Sequence, residues 1–321
     1  MSMNTVSSTL PDRGQPASGI VGVMKQALAD GELSDVRFTV GRHFDRIQDF
    51  SAHKFVLGSR SAVFRAMLFG QLSENHDNAV EIPDIPPEAF AIMLSFLYTD
   101  AVDNLSADNV FGTLKCADKY DLPQLVDICS EFIRKRLNPD NCLDTLKEAL
   151  DWQAEKIVKK CRVLVEEKTS AVLRSEEFVN ISLQMLQDLL QLKLQASEND
   201  IYLAVERWAA AACARNGMDA SAANRRQVLR DALFLVRFPL LDNKQLADGP
   251  GQSGLLTDTE MRDLFMYLNA AVKPEVPFPT EKRIKKQLAV KNRTLYFPAR
   301  NPCKRSAEAN QNNGQSATKR R

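Results

Sequence analysis

The chain changes its hydrophobic period once, and the change divides it into two kinds of structure. Asp35-Val36-Arg37-Phe38-Thr39-Val40-Gly41 alternates apolar and polar side chains, the period of a half-buried strand, and Val80-Glu81-Ile82 repeats it. After Asn138-Pro139 the alternation disappears, and residues 140–270 read as helix after helix. An α+β protein is predicted: an α/β domain over residues 20–137, then an all-α domain over residues 138–270.

Helical spacing fills in the first domain. Val21, Met24 and Leu28 mark one face of a short helix stopped by Gly31, a face that needs a cover from the same chain or from a second copy. Ser59 reads as the N-cap of a helix with Val63, Ala66 and Met67 inside and Gly70 at its end. Pro86 and Pro87 suit the first turn of a helix whose Phe90, Met93, Leu94 and Leu97 follow the i, i+3, i+4, i+7 rule. Two further helices carry Val110, Leu114 and Ala117, and Leu125, Cys129 and Phe132, on their inner faces. In the second domain Ser197 caps a helix bearing Ile201, Val205, Trp208 and Ala209, and Thr257-Asp-Thr-Glu260 is a capping box before Met261, Leu264, Phe265 and Leu268.

With 44% apolar and 26% charged residues in 321, the composition is that of a soluble protein of two domains at about 150 residues each. No apolar run approaches the ~18 residues of a membrane span, and Met1 to Gln15 lacks the apolar block of a secretory signal, so no membrane partner and a cytosolic or nuclear location are expected. Cys116, Cys129, Cys142, Cys161, Cys213 and Cys303 are widely spaced, without the short spacings of a zinc site, and read as free thiols, five of them small buried hydrophobes. Neither a G-x-S-x-G elbow nor a Gly-rich phosphate loop is present, and His43, His53 and His76 are scattered. His53, read as part of an Ala52-His53-Lys54 strand, is most simply structural. No enzyme, metal or cofactor is implied.

Residues 50–98 carry a resemblance. Phe50-Ser-Ala-His53-Lys54, Phe64-Arg-Ala-Met67, Phe69-Gly70-Gln-Leu72-Ser73-Glu74, Val80-Glu-Ile82 and Phe90 to Tyr98 resemble the heart of a BTB (POZ) domain. The second half resembles the BACK domain through Cys142-Leu-Asp-Thr-Leu146, Ser175-Glu-Glu-Phe178, Ser197-Glu-Asn-Asp200, Val205-Glu-Arg-Trp208 and Phe234-Leu-Val-Arg-Phe-Pro239. Gly249 to Leu256 and Leu264 to Pro279 look like the BTB–BACK subfamily that continues into a PHR β-sandwich, a subfamily linked to neural development. Here about forty basic and polar residues follow, too few for such a sandwich.

The resemblance implies an adaptor subunit of a cullin-3 ubiquitin ligase, dimeric through its BTB domain, with the substrate protein unidentified. Leu72-Ser73-Glu74 matches the family's apolar-x-Glu signature for gripping cullin-3, and burying Leu72 in a partner groove supplies ~2 kcal/mol. Tyr98 would flank the same surface, with a half-buried helix-end tyrosine as the plainer reading. Asp35 and Lys54 match a charged pair at the dimer centre, for which a salt bridge is expected, beside the apolar face of Val21, Met24 and Leu28. Two alternatives stand: a short regulatory form that mixes with PHR-bearing relatives, or a nuclear BTB scaffold that recruits corepressors.

The ends differ from the body. Residues 1–19 read as a flexible leader, and residues 271–321 as an extended linker, polyproline-like over Lys273 to Pro279, plus a basic disordered tail. From residue 282 onward there are twelve Lys or Arg against one acid, so the tail carries +11 and the rest −10. Lys282-Arg-Ile-Lys-Lys286 is one basic cluster, and Lys304-Arg305 with Lys319-Arg320-Arg321 is spaced like a bipartite import signal. Only Tyr296 and Phe297 offer stacking to bases, thin support for nucleic acid as a partner.

Overall fold

The structure is a computed structural model that describes residues 19–70 and 79–283. Two units emerge from its contacts, one ending at Arg134 and one beginning at Lys135.

In the first unit the order is α1 (Gly19–Asp30), β1 (Val36–Val40), β2 (Gln48–Ala52), α2 (Lys54–Arg60), α3 (Ala62–Phe69), β3 (Val80–Ile82), α4 (Pro87–Thr99), α5 (Val110–Lys119) and α6 (Pro123–Arg136). The strands form one sheet in the order β2-β1-β3. β1 runs antiparallel to β2, with Val36 opposite Ala52 and Val40 opposite Gln48, and parallel to β3, with Phe38 opposite Val80. The period-two reading of β1 holds: Val36, Phe38 and Val40 are buried while the residues between them are not. Gly41 then turns the chain at φ +96°, where a Cβ would stand 2.4 Å from the Arg46 carbonyl oxygen, so only glycine fits.

Helices pack on the buried side of the sheet. Phe38 meets Phe64 at 5.8 Å and Phe90 at 5.4 Å between ring centroids, and Phe64 stacks on Tyr120 at 4.2 Å. In α4, Pro87 occupies the first turn and Phe90, Met93, Leu94 and Leu97 are buried, as their spacing predicts. α6 buries Leu125, Cys129 and Ile133, and Ile133 takes the place expected for Phe132.

One helix departs from the phase that its sequence pattern predicts. Ser61, not Ser59, is the N-cap of α3: its backbone is extended, its side chain accepts from the Phe64 N–H at 3.1 Å, and its hydroxyl donates to the Tyr120 carbonyl at 2.7 Å. That break separates α2 from α3 and turns Phe64 and Leu68 inward in place of Val63, Ala66 and Met67. His53 is likewise not in a strand. β2 ends at Ala52, and His53 is the extended residue before α2.

The second unit is helical: α7 (Cys142–Asp151), α8 (Glu155–Glu167), α9 (Thr169–Arg174), α10 (Leu183–Leu190), α11 (Glu198–Arg215), α12 (Ala222–Leu229), α13 (Asn243–Asp248), α14 (Pro250–Ser253) and α15 (Asp258–Asn269), with 3₁₀ turns at Glu177–Asn180, Arg230–Leu235 and Phe238–Leu240. α11 is its spine. Ser197 caps it by accepting from the Asp200 N–H, and Ile201, Val205, Trp208 and Ala209 are buried. The Trp208 indole donates to the Ile181 carbonyl at 2.9 Å. The capping box of Thr257 and Glu260 opens α15, and a second box, Asp242 with Gln245, opens α13. Leu264 alone of α15 is fully buried, and Phe265, expected inside, is 56% exposed.

Residues 273–279, expected as an extended polyproline-like linker, form neither helix nor strand and bend at 277–278, and they are packed on the second unit. Phe278 is buried, stacked on Phe234 at 5.7 Å and set edge-on to Phe238 at 4.8 Å, and burial of that size stabilises by about 1.5–3 kcal/mol. A proline-rich segment docks this way because its backbone gives up little entropy on being fixed.

Candidate interaction site

α1 is the most exposed apolar element of the first unit. At 100° per residue its apolar positions cover an arc of about 160°, from Val23 through Ile20 and Met24 to Val21, wider than the stripe one neighbour covers. It packs on α4, yet none of its residues is buried. Met24 and Leu28 are half-covered, whereas Val21, Val23 and Ile20 are 51%, 51% and 75% exposed. The expected face was Val21, Met24 and Leu28. Ile20 and Val23 extend it, and the breadth of the arc was the signal that would have included them.

Asp35 and Lys54 are neighbours, but not through the expected salt bridge. The Asp35 carboxylate accepts from the Lys54 backbone N–H at 2.7 Å, so it caps the first turn of α2, where His53 offers no side-chain cap of its own. The Lys54 ammonium makes no ion pair among the described residues. Phe55, beside it in α2, is 79% exposed.

Tyr98 is a connector within the fold. It is 5% exposed, and its hydroxyl accepts from the His53 backbone N–H at 2.8 Å and lies 2.7 Å from His53 Nδ1. His53 Nε2 is 2.8 Å from the Glu32 carbonyl oxygen, which can only accept. Nε2 therefore carries the proton, Nδ1 accepts, and the Tyr98 O–H donates to it, a set in which every partner is satisfied. Burial, followed by the nearby Asp35 charge, pushes the phenol up to about 12 against the lowering effect of the His53 N–H.

Leu72 and Glu74 lie outside the described residues, as do Lys304, Arg305, Lys319, Arg320 and Arg321. What leads up to Leu72 is described: α3 ends at Phe69, 58% exposed, and Gly70 closes it by donating its N–H to the Ala66 carbonyl. Phe69 also stands over Gly58, where a Cβ would lie 2.7 Å from its ring.

Cys116, Cys129, Cys142, Cys161 and Cys213 are free and buried. Desolvation drives the Cys129 and Cys142 thiols up to about 12 and Cys161 to about 11, so they are packing groups and not thiolate nucleophiles. Among the described residues no cluster of His, Cys, Asp and Glu could hold a metal ion. No helix among them is long and apolar enough to cross a membrane.

Comparison with known proteins matches this arrangement. The model of the BTB/POZ domain family fits residues 24–137, and that of the BACK ("BTB And C-terminal Kelch") family fits residues 142–249. BTB/POZ domain-containing protein 6-B of Danio rerio is 36% identical over 252 residues, which is 78% of this chain and 52% of that protein. BTB/POZ domain-containing protein 3 of Homo sapiens is 36% identical over 78% of this chain and 48% of its own length, and BTB/POZ domain-containing protein 6 of Mus musculus is 35% identical over 78% and 46%. The chain spans about half the length of the curated relatives it matches. A three-stranded sheet wrapped by helices, then a helical unit built on α11, with both family models fitting in that order, makes this chain a member of the BTB/POZ–BACK family.

Proposed function

We propose that the chain is a non-catalytic adaptor that pairs through its BTB domain and docks cullin-3, so that a protein it captures is ubiquitylated by the attached ligase. The supporting observation is the route into Leu72-Ser73-Glu74: Gly70 closes α3 beside the exposed Phe69, three residues ahead of Leu72. An apolar ring with a leucine and a carboxylate close by in sequence suits a scaffold groove that takes a hydrophobic anchor and a charge. Pairing is supported by Ile20, Val21 and Val23, an exposed apolar group that a second copy would cover symmetrically. Two copies bring two docking sites to one assembly and raise its avidity. Tyr98, with its hydroxyl spent on His53, serves by holding the end of α4 against the start of α2 and not by direct contact.

The test is a quantitative pull-down of purified cullin-3 with the full chain and with Leu72→Ala/Glu74→Ala. Loss of one buried leucine and one charge-assisted contact is expected to weaken binding at least ~30-fold. Undiminished binding by the double variant would remove this docking mode.

A further inference from the structure

Residues 274–283 hold the second unit chiefly through Phe278 and Arg283, and we propose that they form a latch, with Phe278 as its plug and Arg283 as its bolt, that withholds Arg283 from acidic partners until the strap opens. Arg283 belongs by sequence to the basic cluster Lys282-Arg-Ile-Lys-Lys286, yet its side chain is only 4% exposed. All five of its N–H groups are engaged. Nε donates to Glu198 Oε1 at 2.6 Å and Nη2 to Oε2 at 3.4 Å. Nη1 donates to the carbonyls of Leu190 and Leu192, and Nη2 to that of Leu235 at 3.3 Å.

The acceptors explain why an arginine sits there. Leu190 ends α10, where unpaired carbonyls favour a cation, and Glu198 lies in the first turn of α11, where an anion is favoured. A planar fork with five donors serves both at once, which a lysine with three cannot do. Glu198 is itself 8% exposed, so each charge is the other's main compensation. Arg237 adds a third tie by donating to the Glu281 carbonyl, and its backbone N–H reaches Glu198 Oε2 at 3.4 Å. Seen from solvent, the closed strap removes one cation from the basic cluster. Opening it restores that cation and bares a carboxylate.

Trypsin reads this state directly, because its specificity pocket grips an arginine through a carboxylate. The full chain, its Glu198→Gln variant and its Phe278→Ala variant are digested under native conditions, and amide exchange is followed over 274–283 and over α11. Wild-type chain is expected to resist cleavage after Arg283 and to protect the strap amides. Breaking one partner of a buried pair raises the open population on the order of a hundredfold, so Glu198→Gln should speed that cleavage by about as much. Phe278→Ala should speed it without touching the charges, and α11 amides should stay protected in both variants. Strap amides exchanging as in the unfolded chain, or equal cleavage after Arg283 in all three proteins, would overturn the latch. Loss of α11 protection together with the strap would also overturn it, since the strap would then be inseparable from the helices beneath.

Discussion

Replacing Tyr98 by phenylalanine separates an internal connector from a contact residue. The ring would stay packed at the end of α4, because only the hydroxyl is lost. That hydroxyl serves two groups, the His53 backbone N–H at 2.8 Å and His53 Nδ1 at 2.7 Å. An orphaned buried polar group costs about 1–3 kcal/mol, and because His53 is only part-buried the low end applies to each, for about 2 kcal/mol in all. For a unit of this size 1 kcal/mol moves the melting temperature by roughly 4 °C, so Tyr98→Phe should lower it by ~8 °C. Calorimetry of the full chain gives the shift, and cullin-3 binding at 15 °C, far below melting, gives the affinity. With Tyr98 5% exposed, that affinity should stay within about twofold of wild type. An unchanged melting temperature with affinity reduced tenfold would refute the internal assignment and return Tyr98 to the docking surface.

Val23→Asp places a charge on the uncovered face of α1 and, as Val23 is 51% exposed, should cost the monomer under ~0.5 kcal/mol while converting a dimer to a monomer in light scattering; a dimer of undiminished affinity would show that pairing uses another face. Acid should reach the second unit through Glu260. Burial pushes its carboxyl up, but bidentate bonds from Arg226 and the Thr257 contacts outweigh that and hold it below the usual carboxylate range. A group depressed in the folded state stabilises above its unfolded pKa of about 4.3 and loses that contribution as pH falls through the folded value. Glu260→Gln should therefore be about 1 kcal/mol less stable than wild type at pH 7, and the gap should close as pH falls below the ordinary carboxylate range, as read by urea midpoints; a gap that stays constant on acidification would exclude the linkage.

How much of the fold is legible in the sequence depends on how far apart the cooperating residues lie. Alternation in Val36 to Val40, the Pro86-Pro87 helix start, the Ser197 N-cap and the capping box at Thr257 are signals within a few residues, and each appears where its spacing puts it. The α2–α3 break shows the limit of that scale. Ser59 and Ser61 both look like caps, and the choice is made by a bond from Ser61 to the Tyr120 carbonyl, fifty-nine residues away, which no local pattern contains. Asp35 and Lys54 are neighbours as expected, but the bond goes to the Lys54 backbone, because the N–H groups at the start of α2 lack an acceptor more urgently than an exposed ammonium lacks a counterion.

The proline-rich segment makes the same point most sharply. Its composition is that of a linker, and composition is all a local reading can use, while its fate is decided by rings contributed by Phe234 and Phe238 and by a carboxylate eighty-five residues earlier. A basic cluster counted from sequence is thus an upper bound on the charge a partner meets, since Arg283 is counted and yet consumed inside. The same reasoning bears on residues named for docking. The Tyr98 hydroxyl is spent on an internal donor and acceptor and its side chain is 5% exposed, so as a docking contact it would have little to offer, whereas the ring of Phe69 at the end of α3, although it rests on Gly58, is 58% exposed.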